Sequence, residues 1–253
     1  MKQVGAAVLT VAVYAIVFHS IWPALLLAGA VGWHEYCHIM AARQMGMNTK
    51  GFFLLPFMGG VALIAGRYRG YAEQAYVVLA GPVGGGMGAL ATMGLYAVLR
   101  YVLHVDVPFL AAASYWMCAI NAFNLLPFSF MDGGQLLGTV TYSINRTLGV
   151  WSLIVSTIVA VGVLIYLAPI IGCLVAIIGG KMAYKEYRNW RAWKDDRTWL
   201  QDDNWLRPPR KLTKQQMLTT IGCWSGTAVI LGAAMYLLKV MDPIHSTFSY
   251  FFQ

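Results

Sequence analysis

The sequence predicts an all-α polytopic membrane protein, with six to seven transmembrane helices and a small membrane-associated β-hairpin. Of its 253 residues, 59% are hydrophobic and only 11% are charged, whereas a soluble domain has about 45–50% apolar and about 25% charged residues. The charges are also concentrated, because 15 of the 28 Lys, Arg, Asp and Glu residues lie between Lys181 and Lys214. This distribution excludes a soluble globule, a disordered chain and a disulfide-linked secreted module.

Seven apolar runs are the candidate spans, since a spanning helix needs about 20 mostly apolar residues. They cover residues 4–18, 21–42, 76–99, 108–126, 148–166, 169–184 and 217–238. A turn at residues 167–169 separates the fifth run from the sixth, and without it the count would be six. With seven spans and a cytoplasmic N-terminus, 16 of the 18 basic residues lie on the cytoplasmic side, which the positive-inside rule favours.

A β-hairpin is predicted at residues 51–65, between the second and third spans. Pro56 and the Gly59-Gly60 pair are poor residues for a helix interior, and β-forming residues surround them. Irregular backbone at membrane depth must be buried in protein or line a wet cavity. We therefore expect this hairpin to lie within the protein.

The polar segment at residues 188–216 alternates tryptophans with lysines and arginines. This pattern predicts an interfacial helix, with its rings at headgroup level and its cations toward anionic lipid; docking of a substrate or regulator is the alternative. The net charge of +8 does not indicate a nucleic-acid partner, because the basic residues flank apolar spans. The lipid bilayer is the expected partner.

The residues with the clearest chemistry lie in the second apolar run. His34, Glu35 and His38 form an H-E-x-x-H pattern, and in a helix the two histidines lie about 40° apart on one face. Two imidazoles one turn apart can chelate a single Zn²⁺, with the neighbouring carboxylate reaching its bound water. A hydrogen-bonded cluster that stabilises helix packing is the alternative, but burying three titratable groups in a membrane for packing alone is costly.

Asp132 is the candidate third ligand, because catalytic zinc sites usually have three protein ligands and a water. It is the remaining intramembrane acid, and it lies between Pro127, which ends the fourth span, and Gly133-Gly134, where backbone can approach closely. Alternatively, Asp132 is the N-cap of a helix that starts at Gly133. The two roles can coexist.

Taken together, these motifs resemble those of the site-2 protease family of intramembrane zinc metalloproteases. The matching pieces are His34-Glu35-x-x-His38, Asn124-x-x-Pro127-x-x-x-x-Asp132-Gly133, the hairpin segment Phe52–Gly60, and Gly81-Pro82, which resembles the Gly-Pro at the start of the family's next helix. The resemblance implies three zinc ligands: His34, His38 and Asp132. It also implies that Glu35 is the general base and that Asn124 helps position or polarise the scissile carbonyl.

This resemblance implies a zinc endopeptidase that cleaves in or next to the transmembrane segment of a single-span membrane protein. Its expected location is a bacterial or archaeal cell membrane, with the active site toward the cytoplasm. A helical substrate must unwind first, because an intact helix shields its carbonyls. The edge of the hairpin is expected to hold the unwound segment by strand pairing, through Phe57, Gly59, Gly60 and Val61. A proline at Val61 or Leu63 should then lower turnover sharply if the lost N–H faces the substrate, with zinc content nearly unchanged. The two sites are expected to alternate in direction, so that one proline has a much larger effect than the other.

The expected domains are an N-terminal transmembrane helix (residues 1–20), a site-2-protease-like catalytic membrane domain (21–187), the basic aromatic segment (188–216), and a C-terminal transmembrane helix with a short tail (217–253). Two other function classes are a transporter of metal ions or protons and a non-proteolytic scaffold. A transporter typically has repeated half-sites, which this sequence lacks. The intact His34, Glu35, His38 and Asp132 argue against a scaffold.

Overall fold

A computed structural model of the chain describes residues 2–56, 59–66, 68–167, 169–195 and 210–241. It is mostly helical (79%), with one small antiparallel sheet. The helices are α1 (Lys2–Val17), α2 (Ile21–Gln44), α3 (Tyr71–Ala97), α4 (Pro108–Asn124), α5 (Asp132–Ile144), α6 (Arg146–Leu167), α7 (Pro169–Asp195) and α8 (Lys214–Met241). The strands are β1 (Asn48–Leu55) and β2 (Gly59–Ala65), and a π-helical turn at Val98–Val102 extends α3.

Each of the seven predicted apolar runs lies largely within a helix. Three helical stretches of the described chain are long and apolar enough to cross a membrane: Tyr71–Val102, Arg146–Tyr166 and Lys214–Met241. This is fewer than the six to seven predicted spans. The shortfall has a physical cause, because α1 and α4 have only 16 and 17 residues. In addition, α2 has two histidines, a glutamate and an arginine in its second half, and α7 is rich in charged residues from Lys181 onward.

The predicted hairpin is confirmed as a two-stranded antiparallel sheet. A bulge between Thr49 and Phe52 interrupts the register. The sheet packs on α1 and α2, where Ala28, Val31 and Leu54 form a buried apolar cluster.

Helix α5 is an element that the apolar runs did not predict. It begins at Asp132, and Met131 is its N-cap, with extended backbone and no capping hydrogen bond from its side chain. The N-cap alternative for Asp132 is therefore wrong by one residue, since Asp132 lies in the first turn. The expected close approach at Gly133-Gly134 is confirmed, because a Cβ atom at Gly133 would overlap the carbonyl oxygens of Leu125 and Leu126.

The chain forms two compact units. The first contains α1, α2, both strands, α4, most of α3 and the C-terminal part of α8. The second contains α5, α6 and α7, together with the first turns of α3 and α8. In the second unit, the Ser143 hydroxyl accepts a hydrogen bond of 3.0 Å from the backbone N–H of Leu212, which holds the residues just before α8 against α5.

Candidate metal centre

The two histidines of α2 converge through their Nε2 atoms. His34 and His38 are 2% and 7% exposed, and their Nε2 atoms are 3.0 Å apart. Two nitrogens bound to one Zn²⁺ at about 2.0–2.1 Å with tetrahedral angles lie about 3.4 Å apart. The pair is therefore spaced to bind one ion, with small adjustments of the rings.

Asp132 joins the two histidines in a buried group. A carboxylate oxygen of Asp132 and one ring nitrogen from each histidine all lie within 4.8 Å of one another. Two imidazole nitrogens and one carboxylate oxygen are a donor set typical of catalytic zinc, which keeps a fourth position open. The group can therefore hold a metal ion, and the three predicted ligands are brought together.

Glycine at position 81 allows helix α3 to cover the histidine pair. A Cβ atom at Gly81 would lie 2.8 Å from Nε2 of His34 and 2.5 Å from Cε1 of His38. The Gly81-Pro82 pair lies inside α3, which begins at Tyr71, and not at the start of a helix as the resemblance implied. Pro82 removes one helical N–H donor, and such a break is tolerated in membrane helices where neighbouring groups compensate.

We expect Gly81→Ala to lower zinc affinity by about 10- to 100-fold, the range observed when the support of a metal ligand is disturbed. The added methyl group must displace one or both imidazoles, since it has no room beside their nitrogens. Gly94→Ala is the matched control, because it lies on the same helix and its methyl group would meet nothing within 4 Å. Zinc titration of both variants checks this, and equal affinities would mean that Gly81 does not support the site.

Glu35, the predicted base, is a residue of α2, and its side chain faces the hairpin at Gly60. Its side chain is only 6% exposed. A Cβ atom at Gly60 would lie 2.7 Å from Oε1 of Glu35, so the start of β2 passes directly against the carboxylate. Only glycine fits at this position without displacing the Glu35 side chain.

Asn121 is a residue that the sequence analysis missed. It is fully buried in α4, and its Oδ1 lies 2.8 Å from Nδ1 of His34. The signal was present, because Asn121 is a polar residue within an apolar span, as His34 is. Asn124, which was singled out instead, is the last residue of α4 and is half-buried; its predicted role at the scissile carbonyl stays a prediction.

Tyr68 is in the loop that joins the hairpin to α3, and it is a second residue that the sequence analysis did not single out. Burial raises the pKa of the Tyr68 phenol above its usual value of 10.0, and the negative charge of Asp132 raises it further. The phenol is therefore protonated at neutral pH, and it lies within electrostatic range of Asp132. No motif marks this loop position, so the sequence offered no signal for it.

The remaining candidate residues lie on β2 or outside the described residues. Gly59, Gly60 and Val61 begin β2, whereas Phe57 lies outside the described residues.

Cys37 lies against Gly84 of α3, and it is not in the group of possible metal ligands found among the described residues. Its contact is a packing contact between α2 and α3.

Comparison with known proteins supplies no family for this chain. No model of a known protein family matches it, and no curated protein matches it. The assignment of function therefore rests on the motif residues and on the geometry of the buried His34, His38 and Asp132 group.

Proposed function

We propose that the chain is an intramembrane zinc metalloendopeptidase, similar to the site-2 proteases, that hydrolyses peptide bonds within or next to transmembrane segments. The observation that carries this proposal is the buried group of His34, His38 and Asp132, with Glu35 next to it in α2. Burying these ionisable groups is costly unless they do chemistry or bind an ion. Their donor set suits zinc better than magnesium or calcium, which prefer oxygen ligands.

Each residue of the site has a role in peptide hydrolysis. His34, His38 and Asp132 would hold the ion, and Zn²⁺ held there would supply a Lewis acid that polarises the peptide carbonyl and acidifies the attacking water. Glu35 takes the proton from that water and passes it to the leaving amine. These four side chains are buried, and burial strengthens the electrostatic interactions within the site.

The membrane supplies the substrate and the setting of the reaction. Three described helices can cross a bilayer, and the count of basic residues supports a multi-pass arrangement with the site toward the cytoplasm. The substrate in this proposal is a single-span membrane protein in a bacterial or archaeal cell membrane. Its helix must open near the scissile bond before Glu35 and the ion can reach a carbonyl.

The outer side of β2 is the proposed docking edge for the unwound segment. The Thr10 hydroxyl of α1 lies 3.0 Å from the carbonyl oxygen of Leu54 and 2.8 Å from that of Ala6, between which its one proton is shared. The Leu54 carbonyl therefore faces α1 and points away from β2. Leu54 is paired with Gly60, and paired residues of an antiparallel ladder point their backbone groups the same way, both inward or both outward. The backbone groups of Gly60, and of Ala62 two residues on, therefore face away from β1.

This register changes which residues are expected to pair with a substrate. The N–H groups of Gly59 and Val61 face β1, because these residues alternate with Gly60 and Ala62. Val61 and Leu63 are two residues apart, so their N–H groups face the same way, and the expectation that they alternate in direction is wrong. Val61 pairs with Phe53, so a proline at Val61 would damage the hairpin itself. Among the described residues predicted to bind substrate, Gly60 is the one whose backbone groups face outward. The N–H of Ala62 also faces outward, so a proline at Ala62 tests the pairing with substrate.

We expect Ala62→Pro to lower turnover of a transmembrane substrate by about 2- to 10-fold, because it removes one outward N–H donor worth about 0.5–1.5 kcal/mol. Ala62→Val is the matched control, since it adds a β-branched side chain and keeps the N–H group. Zinc content should be unchanged in both variants. Full activity of Ala62→Pro would leave this segment as packing and remove strand pairing from the proposal.

The proposal as a whole is tested by reconstituting the purified chain in lipid vesicles with single-span membrane proteins. We expect cleavage in or next to the transmembrane segment, which a zinc chelator stops and added zinc restores. Release of zinc or protons across the vesicle membrane without cleavage would instead support a transporter. Neither cleavage nor ion movement in the zinc-loaded chain would favour a scaffold.

A further inference from the structure

Three consecutive polar contacts connect α4 to the metal group. The Asn121 Nδ2 atom donates a hydrogen bond of 2.7 Å to the main-chain carbonyl of Met117, one turn earlier in α4. The Asn121 Oδ1 atom lies 2.8 Å from Nδ1 of His34 in α2. Nε2 of His34, on the far side of the ring, faces Nε2 of His38.

The positions of the protons in this chain follow from the first link. A main-chain carbonyl can only accept, so the amide group of Asn121 must face Met117 through its NH₂. Its oxygen then faces His34, and because that oxygen can only accept, Nδ1 of His34 must carry a proton. In the neutral imidazole, the lone pair is then on Nε2. This is the atom that faces Nε2 of His38.

Packing leaves the Asn121 carboxamide little freedom to rotate. The residue is fully buried, and the backbone of α3 lies against it at Gly85, where a Cβ atom would lie 2.5 Å from Cγ of Asn121. A flip of the amide would place its NH₂ against the N–H of His34 and its oxygen against the carbonyl of Met117. Both contacts would be repulsive, so the observed orientation is strongly favoured.

We propose that Asn121 is a positioning residue that holds His34 in the tautomer and ring orientation in which Nε2 binds the metal ion. Metal-binding histidines usually donate their other N–H to an acceptor, and loss of that acceptor typically costs about 10- to 100-fold in metal affinity. The proposal rests on the metal-binding part of the proposed function and does not depend on proteolysis. Asn121 does not touch the substrate in this account and acts only through His34.

Zinc affinity of the full chain in lipid nanodiscs, measured by competition with a chromophoric chelator, tests the proposal. Asn121→Leu has a similar size and no acceptor, so we expect its zinc affinity to fall about 10- to 100-fold. Asn121→Asp keeps an acceptor toward Nδ1 and should bind zinc at least ten times more tightly than Asn121→Leu. Equal affinities of the two variants would overturn the proposal, since a purely structural role would not distinguish them by the acceptor.

A second measurement reads the tautomer without activity or metal. Nitrogen-15 NMR of the histidine-labelled full chain, with the His34 signals assigned by their loss in His34→Gln, should show the proton of the neutral ring on Nδ1. In Asn121→Leu, we expect the population with the proton on Nε2 to increase. A proton on Nε2 in the wild-type chain would overturn the proposal even if Asn121→Leu folds poorly.

These outcomes separate the inference from the proposed function. If the wild-type chain binds no zinc, the metal centre itself is wrong, whatever the variants do. If the wild-type chain binds zinc and Asn121→Leu binds it equally well, only the role of Asn121 is wrong. Cleavage activity enters neither comparison.

Discussion

Glu35→Gln should lower peptide-bond cleavage by about 10²- to 10⁴-fold, the contribution typical of a general base. The amide keeps the size of the side chain and its position against Gly60, but it cannot accept the proton of the attacking water. Because Glu35 is not one of the three possible ligands, the variant should retain about one zinc ion per chain. Zinc analysis and a cleavage assay on the same preparation measure both quantities.

The matched control for this variant is Cys37→Ala, which changes a neighbouring residue of α2 that packs against Gly84. It should cleave at a rate close to that of the wild-type chain. If Glu35→Gln cleaves at the wild-type rate, Glu35 is not the base. If it loses both zinc and cleavage, Glu35 supports the metal directly, and its role differs from the one assigned here.

Replacement of any one ligand by alanine should remove both zinc and cleavage. The variants are His34→Ala, His38→Ala and Asp132→Ala. Each leaves two protein ligands where catalytic zinc sites usually have three, and each also leaves a cavity beside buried polar groups. Zinc retained after dialysis and the cleavage rate are the measurements, with Glu35→Gln as the variant that should lose only the second.

Asp132→Ala is the most informative of the three ligand variants. The H-E-x-x-H pattern alone predicts the two histidines, whereas the role of Asp132 depends on the geometry of the group. A chain that binds zinc tightly and still cleaves without Asp132 would show that the third ligand is another residue. Loss of zinc in Asp132→Ala with retained helical content would support the ligand set.

The local part of the site was predictable from the sequence, because helix periodicity fixes it. His34 and His38 are four residues apart, so any helix through them places both on one face. The hairpin was predictable for a similar reason, since Pro56 and the Gly59-Gly60 pair exclude a continuous helix. Asp132 lies nearly a hundred residues later in the chain. Its proximity to these histidines could be expected only because catalytic zinc usually has a third protein ligand and because the motifs resemble those of the family.

The features that the sequence did not predict depend mostly on contacts between distant segments of the chain. Asn121 was passed over in favour of Asn124, because the motif contains Asn124 and only the packing of α4 against α2 places Asn121 beside His34. Helix α5 gave no apolar run, because its sequence contains three glycines, two threonines and a serine; only the N-cap alternative for Asp132 indicated a helix there. Gly81-Pro82 was expected near a helix start, but α3 continues through Pro82, since tertiary packing overrides the poor helix propensity of proline.

The most direct test of the central claim is a comparison of membrane peptides, by mass spectrometry, from cells that produce the wild-type chain or Glu35→Gln at equal levels. If the chain is an intramembrane zinc endopeptidase, new peptide ends should appear within or next to transmembrane segments of single-span proteins, and only with the wild-type chain. The intact forms of the same proteins should accumulate with Glu35→Gln. Identical peptide ends in the two samples, with both chains zinc-loaded, would contradict the assignment of this protein as a protease.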